Sequence, residues 1–181
     1  MKKIILKTKR LVLRPIKIGD ERIILSFAND SLISRWLSFD TPLSLKKEKD
    51  FVEKSVKNFG KRGFYFFVLL KKGKKFIGLI DLRDYSKEHK RANIGLWVAR
   101  KHWRKGFGEE MVKAILKFGF EKLKLNRIGY NVYEGNNASE TLIRKLGGKF
   151  EGIKREYLTK KGRRINEKLF SILASEWKAR K

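Results

Sequence analysis

Apolar and polar residues alternate along the chain with two different periods, and these periods predict its secondary structure. Across residues 111–123 the apolar positions have the spacing of one face of an amphipathic helix. Just before it, residues 92–98 form a β-branched and aromatic run bounded by charges, which predicts a largely buried strand. We therefore expect a buried strand that leads into a helix at the centre of the fold.

The same reasoning predicts the other elements. Further strands are expected at residues 9–15, 64–70, 76–82, 127–133, 149–157 and 167–173, with hairpin turns at 71–74 and 160–162. Residues that cap helix N-termini place helices after Asp20, after Asp30 or Ser31, after Ser44 and from Asn136. This order predicts an α/β (α+β) fold with a mixed sheet and helices on its faces.

A glycine-bearing turn joins the central strand to the central helix, with the sequence Trp103-Arg104-Lys105-Gly106-Phe107-Gly108. A helix start leaves backbone N–H groups without partners at the positive end of the helix dipole. The glycines let an anion approach the main chain, and the two cations add positive charge. The turn matches neither common nucleotide-binding motif. It predicts an anion site, unless its glycines serve only packing.

Length and composition favour one domain that spans residues 1–181, because 181 residues with 41% hydrophobic content suffice for a single core. We find neither an apolar run long enough to span a bilayer nor a signal-peptide pattern, so we expect a cytoplasmic protein without membrane contact. The absence of cysteine excludes disulfides, thiolate catalysis and cysteine–zinc sites, and two histidines are too few for a histidine-built metal centre.

The charge of the chain is strongly positive, since 46 Lys and Arg residues against 19 Asp and Glu residues give a net +27. A surface of this kind attracts polyanions such as RNA, ribosomes and phosphate-bearing cofactors. The cations are spread along the whole sequence. A generally basic, solvated surface is therefore the alternative to a dedicated nucleic-acid site.

Three motifs carry a resemblance to a known family: R-L-V-L-R-P at residues 10–15, W-R-K-G-F-G at 103–108 and N-N-A-S-E-T-L-I-R-K-L-G-G at 136–148. In this order they resemble the GCN5-related N-acetyltransferase (GNAT) superfamily, and most of all its branch of ribosomal-protein N-terminal alanine acetyltransferases. The resemblance covers residues 10–173. It implies the GNAT fold, a mixed and mostly antiparallel sheet of about seven strands, splayed at the cofactor site and flanked by helices.

The resemblance also implies that acetyl-CoA is the cofactor. Its diphosphate would bind the backbone amides of the glycine turn, and its pantetheine arm would pair with the central strand like an added strand. The cofactor-binding residues implied in this way are Leu96, Trp97, Val98, Arg104, Lys105, Gly106, Phe107, Gly108 and Asn136.

Acetyl transfer needs a base for the ammonium proton and an acid for the departing thiolate. The resemblance matches Ser139 with the acid and Glu156 with the base, while Asp81 or a water molecule are further candidates for the base. A helix-start hydroxyl and an exposed ion-pair partner are the alternative interpretations of Ser139 and Glu156.

Two departures from the family pattern leave the proton route open. Ile143 stands where many members carry a tyrosine acid, and Asn93 stands where relatives commonly carry a glutamate.

The function we expect is acetylation of the N-terminal α-amino group of a protein, such as a ribosomal one, because a basic surface would associate with the ribosome or its RNA. A small amine such as a polyamine or an aminoglycoside is the alternative acceptor. A strongly positive enzyme repels polycations, and Ile143 weakens the polyamine interpretation further. A nucleic-acid-binding module ranks last, because no interleaved aromatic and basic motif is present. Both a monomer and a homodimer fit the sequence.

Overall fold

The computed structural model describes residues 4–37, 39 and 41–179. Its strands are β1 (Leu6–Lys7), β2 (Leu11–Pro15), β3 (Phe64–Leu70), β4 (Phe76–Ser86), β5 (Arg91–Val98), β6 (Arg127–Tyr133), β7 (Lys149–Lys160) and β8 (Arg163–Leu173). They form one sheet in the order β1-β2-β3-β4-β5-β6-β8-β7, in which the described strands pair antiparallel except for β5 with β6. The mixed, mostly antiparallel sheet is confirmed. It has an eighth strand because the short β1 pairs with β2.

The helices are α1 (Glu21–Ala28), α2 (Ser31–Ser34), α3 (Leu45–Asn58), α4 (Phe107–Lys117), α5 (Asn137–Lys145) and α6 (Ala174–Lys178). Asp30 and Ser44 cap α2 and α3 with their side chains, as the sequence predicts. Asp20 stands at the N-cap of α1, but its carboxylate binds the guanidinium of Arg14 and the amide of Lys17 instead. None of the described helices is long and apolar enough to cross a membrane.

The central helix differs from its prediction at its C-terminal end. The apolar spacing predicts one helix as far as residue 123, whereas α4 ends at Lys117 and a π-helical turn, Phe118–Lys122, follows it. A 3₁₀ turn, Arg100–His102, lies between β5 and the glycine turn. The helix also begins earlier than its apolar pattern, so that Phe107 and Gly108 belong to its first turn.

Helices cover both faces of the sheet. On one face the buried side chains of α4 pack against those of β3 to β6, together with α5 and β8. On the other face α1 and α3 pack on Phe67, Phe76 and Leu79. Since side chains alternate along a strand, Ile80 and Leu82 of β4 point towards α4, and Leu79 and Asp81 point towards the opposite face.

The sheet opens between its two parallel strands. The pairing of β5 with β6 runs from Arg91 opposite Arg127 to Ile94 opposite Tyr130 and then stops. Both strands continue beyond this point, to Val98 and Tyr133. A gap therefore opens near the middle of the sheet, next to the turn that leads into α4. This is the splay that the family resemblance implies.

Candidate functional site

The glycine turn before α4 exposes a series of unbonded backbone amides. Arg104 and Gly106 both have left-handed backbones, with φ values of +58° and +75°, and Gly106 is the N-cap of α4. The amides of residues 104–109 donate to no acceptor within the described part of the chain, and the amide of Glu110 bonds to the Gly106 carbonyl at 3.2 Å. Left-handed residues in a tight turn direct neighbouring amides towards one side, which makes a concave anion site.

A buried histidine and two lysines lie at this turn. His102 is buried beside it and lies edge-on to Phe107, with ring centroids 5.8 Å apart. Burial lowers the pKa of His102, and the charges of Lys101 and Lys105 lower it further. Because His102 is thereby held neutral, the positive field at the turn comes from the helix dipole and from Arg and Lys side chains.

The open edge of β5 presents two residues to the gap. The amide of Ala99 donates to Ile77 of β4 at 2.8 Å. Because backbone groups alternate sides along a strand, those of Leu96 and Val98 point away from β4 and into the gap. The Val98 carbonyl accepts from the Trp103 indole at 2.6 Å. Trp97 faces β4 with its backbone, and its ring packs edge-on against Phe76 at 5.6 Å.

Gly108 lies between the open strand and α5. A Cβ atom on Gly108 would lie 3.5 Å from Leu142 and 3.9 Å from both Leu96 and Val98. The start of α4 therefore lies beside the open edge of β5, and a larger residue at Gly108 would contact apolar side chains of both β5 and α5.

A pair of hydroxyl groups lies at the closed end of the gap. Asn136 caps α5 by accepting from the Ser139 amide at 3.3 Å, and the Ser139 hydroxyl lies 2.9 Å from the Tyr130 hydroxyl. Tyr130 belongs to the last β5–β6 pair. Burial raises the pKa of Tyr130 to about 12, so its hydroxyl stays protonated at neutral pH. Tyr130 is not among the site residues predicted from the sequence, although its hydroxyl, between the apolar Ile128 and Val132 on the buried side of β6, could have indicated it.

Asp81 approaches the gap from the face that α1 and α3 cover. It pairs across the strands with Gly95, the first β5 residue beyond the last pair with β6. Its side chain is 17% exposed and accepts from Arg83 Nε at 2.9 Å. Burial raises the pKa of Asp81, although Arg83 opposes this. The Arg83 guanidinium lies directly on Gly95, since a Cβ atom there would be 1.4 Å from Nη2.

Comparison with known proteins identifies the family. The model of the acetyltransferase (GNAT) domain matches residues 10–149. The chain belongs to the GNAT acetyltransferases. GNAT enzymes take their acetyl group from acetyl-CoA, so the chain is an N-acetyltransferase with acetyl-CoA as its cofactor.

Three similar proteins illustrate the range of this family. The uncharacterized N-acetyltransferase YoaA of Bacillus subtilis is 32% identical over 171 residues, which are 93% of this chain and 96% of YoaA. YdaF of the same organism, provisionally named a ribosomal N-acetyltransferase, is 29% identical over 104 residues. These residues are 58% of this chain and 57% of YdaF. The structure of spermidine N-acetyltransferase from Vibrio cholerae with CoA and spermine has a TM-score of 0.85 and 25% identity, covering 94% of this chain and 99% of that one.

The GNAT site fits the donor that the family uses. CoA carries a diphosphate and an amide-bearing pantetheine arm. The free amides of residues 104–109 complement the diphosphate, and the backbone groups of Leu96 and Val98 that point into the gap complement the pantetheine arm. Among the described residues there is no group of three or more side chains that could hold a metal ion.

Glu156 lies apart from the hydroxyl pair, on the outermost strand β7, with β8 between it and β6. It has a left-handed backbone, with φ of +51°, inside an irregular stretch of the β7–β8 pairing. Its side chain is 59% exposed and accepts from Arg164 at 2.5 Å. From the sequence alone, Arg155 or Lys154 would be the expected ion-pair partner of Glu156, but the partner is Arg164. The role of Glu156 as base stays a prediction.

Polar residues line the opposite side of the gap on the same face as Asp81. Asn131 and Lys154 both donate to the buried carboxylate of Glu167, at 3.0 and 3.1 Å. Asn93, at the position where the family resemblance implies a glutamate, donates to Asp84 at 3.0 Å. The carboxylates of this face are therefore balanced by neighbouring donors, and they do not form an open acidic surface.

Three connecting segments meet near the start of α5: the segment after α2, the tip of the β7–β8 hairpin and the loop before α5. The side chain of Trp36, after α2, lies 3.6 Å from the position of a Cβ atom on Gly135, in the loop before α5. Lys160, at the tip of the β7–β8 hairpin, donates to the carbonyls of Ser34, Leu37 and Phe39. The hairpin and the loop before α5 therefore both contact the segment that follows α2.

Proposed function

We propose that this N-acetyltransferase acetylates the N-terminal α-amino group of a protein, and that ribosomal proteins are the favoured class of acceptor. The observation that carries the proposal is the Asp81–Arg83 pair over Gly95, beside the open edge of β5. In this proposal the acceptor amine arrives beside this pair, which supplies a cation and a carboxylate. A peptide N-terminus suits this arrangement, because its first carbonyl oxygen can accept from Arg83.

The ease with which an α-amino group loses its proton also supports an α-amine acceptor. An α-amino group has a pKa of about 8 and an alkylamine about 10.4, so the neutral fraction at pH 7 is roughly a few hundred times larger for the α-amine. With Asn93 in place of a glutamate, the acceptor face offers Asp81 already paired with Arg83. An amine that loses its proton readily is the acceptor that such a face can serve.

Binding orients the reaction in this proposal. Acetyl-CoA supplies an activated acetyl thioester. The amides of Arg104, Lys105, Gly106, Phe107 and Gly108 hold the diphosphate, and Leu96 and Val98 align the arm along β5. Asn136 fixes the start of α5 and thereby the position of Ser139. Fixing the two reactants in one geometry accounts for a large part of the rate of such transfers.

Two groups of the chain handle protons. The raised pKa of Asp81 suits it to accept the proton of the amine, directly or through water, and Glu156 is the other candidate. Ser139, hydrogen-bonded to the protonated Tyr130, donates its proton to the departing thiolate and takes up a proton from water in return. The protein thus needs neither a metal nor a tyrosine at residue 143 for this route.

A second acceptor class has specific support. The chain is 28% identical over 93% of its length to a curated spermidine N(1)-acetyltransferase of Vibrio cholerae. A polyamine carries several positive charges, however, and would meet both the +27 charge of the chain and Arg83 at the open strand. Like charges at a binding site oppose association, so we rank a small amine second.

Release of free thiol from acetyl-CoA tests the proposal. The acceptors are a peptide that begins with alanine, the same peptide blocked at its N-terminus but carrying a lysine, and spermidine. We expect kcat/KM to be at least about tenfold higher for the free N-terminus than for spermidine. Arg83→Gln should reduce this ratio by improving the use of spermidine. A preference of the unaltered enzyme for spermidine would reject the proposal in favour of the second class.

A further inference from the structure

Arg10, the first residue of the R-L-V-L-R-P motif, reaches the glycine turn from the other end of the chain. It lies between β1 and β2, and its Nη1 donates to the Lys105 carbonyl at 2.9 Å. Its Nε and its backbone amide donate to the carboxylate of Glu110, at 2.6 and 2.8 Å. One side chain therefore fixes both the turn and the first part of α4.

The guanidinium of Arg10 also covers the residues between these two contacts. Its centre lies 4.4 Å from the ring centroid of Phe107. A Cβ atom on Gly106 would lie 3.5 Å from Nη2. Arg10 thus contacts consecutive residues of the turn, and because it holds the Lys105 carbonyl, that oxygen cannot rotate into the place of an amide.

Glu110 explains why a cation is needed here. A carboxylate near the start of α4 competes with any bound anion for the positive end of the helix. Burial alone would raise the pKa of Glu110, but hydrogen bonds from Thr8 and Arg10 outweigh this and lower it. Thr8 donates to Glu110 at 2.5 Å. Without Arg10, an ionised and poorly compensated carboxylate would remain beside the anion site.

We infer that Arg10 is a positioning residue for the cofactor diphosphate, which holds the amides of residues 104–109 outward and neutralises Glu110. The inference rests on the proposed placement of the diphosphate at the glycine turn. It gives the first arginine of the motif a role that is separate from that of the second. Arg14 binds Asp20 at the start of α1, on the opposite face of the sheet.

A comparison of two acetyl donors, acetyl-CoA and S-acetylpantetheine, distinguishes this role of Arg10 from a general loss of structure. S-acetylpantetheine carries the same thioester and arm as acetyl-CoA but no diphosphate. We expect Arg10→Met to raise KM for acetyl-CoA about 10- to 100-fold, as for the loss of charge-assisted hydrogen bonds, with little change in kcat. Turnover of S-acetylpantetheine should stay within about twofold of the unaltered enzyme, because that donor makes no use of the turn.

Matched variants sharpen the test. Lys9→Ala removes an exposed neighbouring cation and should leave both donors unaffected. Arg10→Lys keeps the positive charge but loses the planar guanidinium with its several donors. Its KM for acetyl-CoA should lie between those of Arg10→Met and the unaltered enzyme. Adding Glu110→Gln to Arg10→Met should recover part of the lost affinity, because it removes the unpaired carboxylate. If Arg10→Met fails to fold, Arg10→Lys provides the same comparison of the two donors.

Calorimetry with CoA and with pantetheine provides a readout that needs no acceptor. Weaker binding of CoA to Arg10→Met, with pantetheine unchanged, supports the inference even if none of the tested amines is acetylated, and in that case only the proposed acceptor fails. If Arg10→Met lost affinity for CoA and for pantetheine equally, or kept its full affinity for CoA, the inference would be overturned.

Discussion

The two sides of the gap between β5 and β6 are built in different ways. On the donor side, the groups that face the expected cofactor are backbone amides of one continuous segment, residues 104–109, and of the neighbouring strand β5. On the side where we propose that the acceptor binds, called the acceptor side below, they are side chains from several strands, such as Asp81 and Arg83 of β4, Asn131 of β6 and Glu167 of β8. A main-chain site depends on backbone conformation, whereas a side-chain site depends on charge and packing across the sheet.

This difference predicts how each side responds to substitution. Most side chains of the turn can change without removing its amides, but a residue that cannot adopt a left-handed backbone alters all of them together. On the acceptor side, exchanging one charged group changes the state of its partners, because the carboxylates are paired with nearby donors.

Gly106→Val should have the largest effect. With φ at +75°, a β-branched residue either strains the N-cap of α4 or rotates the turn, so the amides no longer converge. We expect affinity for CoA to fall about 100-fold or more, as measured by calorimetry, while circular dichroism shows the fold intact. Lys105→Ala, at the preceding residue, serves as the control and should cost at most about tenfold. Equal effects of the two variants would contradict a main-chain site.

Ser139→Ala should lower kcat about 100-fold without changing KM for acetyl-CoA, because it removes the proposed proton donor and not a binding group. Tyr130→Phe, which removes the hydrogen-bond partner of Ser139, should have a smaller effect in the same direction. Thr141→Ala, an exposed residue on the same helix, is the matched control. An undiminished kcat in Ser139→Ala would exclude this residue as the acid.

Asp81→Asn and Glu156→Gln decide between the two carboxylates. A general base works only when deprotonated, so the rate of the unaltered enzyme should fall as pH drops through the raised pKa of Asp81. Asp81→Asn should reduce kcat/KM about tenfold or more and remove this dependence. Glu156→Gln should change the rate by less than about threefold, because the residue is exposed and paired with Arg164. The reverse order of effects would assign the base to Glu156.

Glu48, away from both sides of the gap, should affect stability and not turnover. It is buried in α3, its Oε1 has no hydrogen-bond partner among the described residues, and burial together with Glu21 raises its pKa to about 7. Because the folded state holds this proton more tightly, the free energy of unfolding should fall as pH rises from about 4.5 to 7.

The variant Glu48→Gln should remove this part of the pH dependence and stabilise the protein by roughly 1–3 kcal/mol above pH 7. Denaturant unfolding at pH 5 and pH 8 measures the effect, and Glu53→Gln on the same helix is the exposed control. A stability difference between the two pH values that persists in Glu48→Gln would show that another group causes it.

The strand, turn and helix of the donor side were largely predictable because their determinants are consecutive in the sequence. The strand at residues 91–98, the glycine turn and the start of α4 follow one another, and glycine spacing shows where a left-handed backbone is tolerated. Trp97 was grouped with Leu96 and Val98, since a single sequence does not indicate which residues of a strand bond to β4. That depends on the register, which the structure supplies.

The acceptor side could not be assembled from the sequence, because its residues are brought together by sheet pairing over long distances. Asp81 was a candidate by type, but its position opposite Gly95 and under Arg83 depends on the β4–β5 register. Tyr130 was missed because a tyrosine in a buried strand looks like a core residue until Ser139 is placed beside it. The π-helical turn after α4 also gave no signal, since its apolar spacing continues that of the helix.

A crystal structure of the protein with CoA tests the central claim most directly. The account predicts diphosphate oxygens about 3 Å from the amides of residues 104–109, with Arg10 still bound to the Lys105 carbonyl and to Glu110. The pantetheine amides should bond to the backbone of Leu96 and Val98. A diphosphate held by lysine and arginine side chains elsewhere, with these amides turned away from it, would contradict the account.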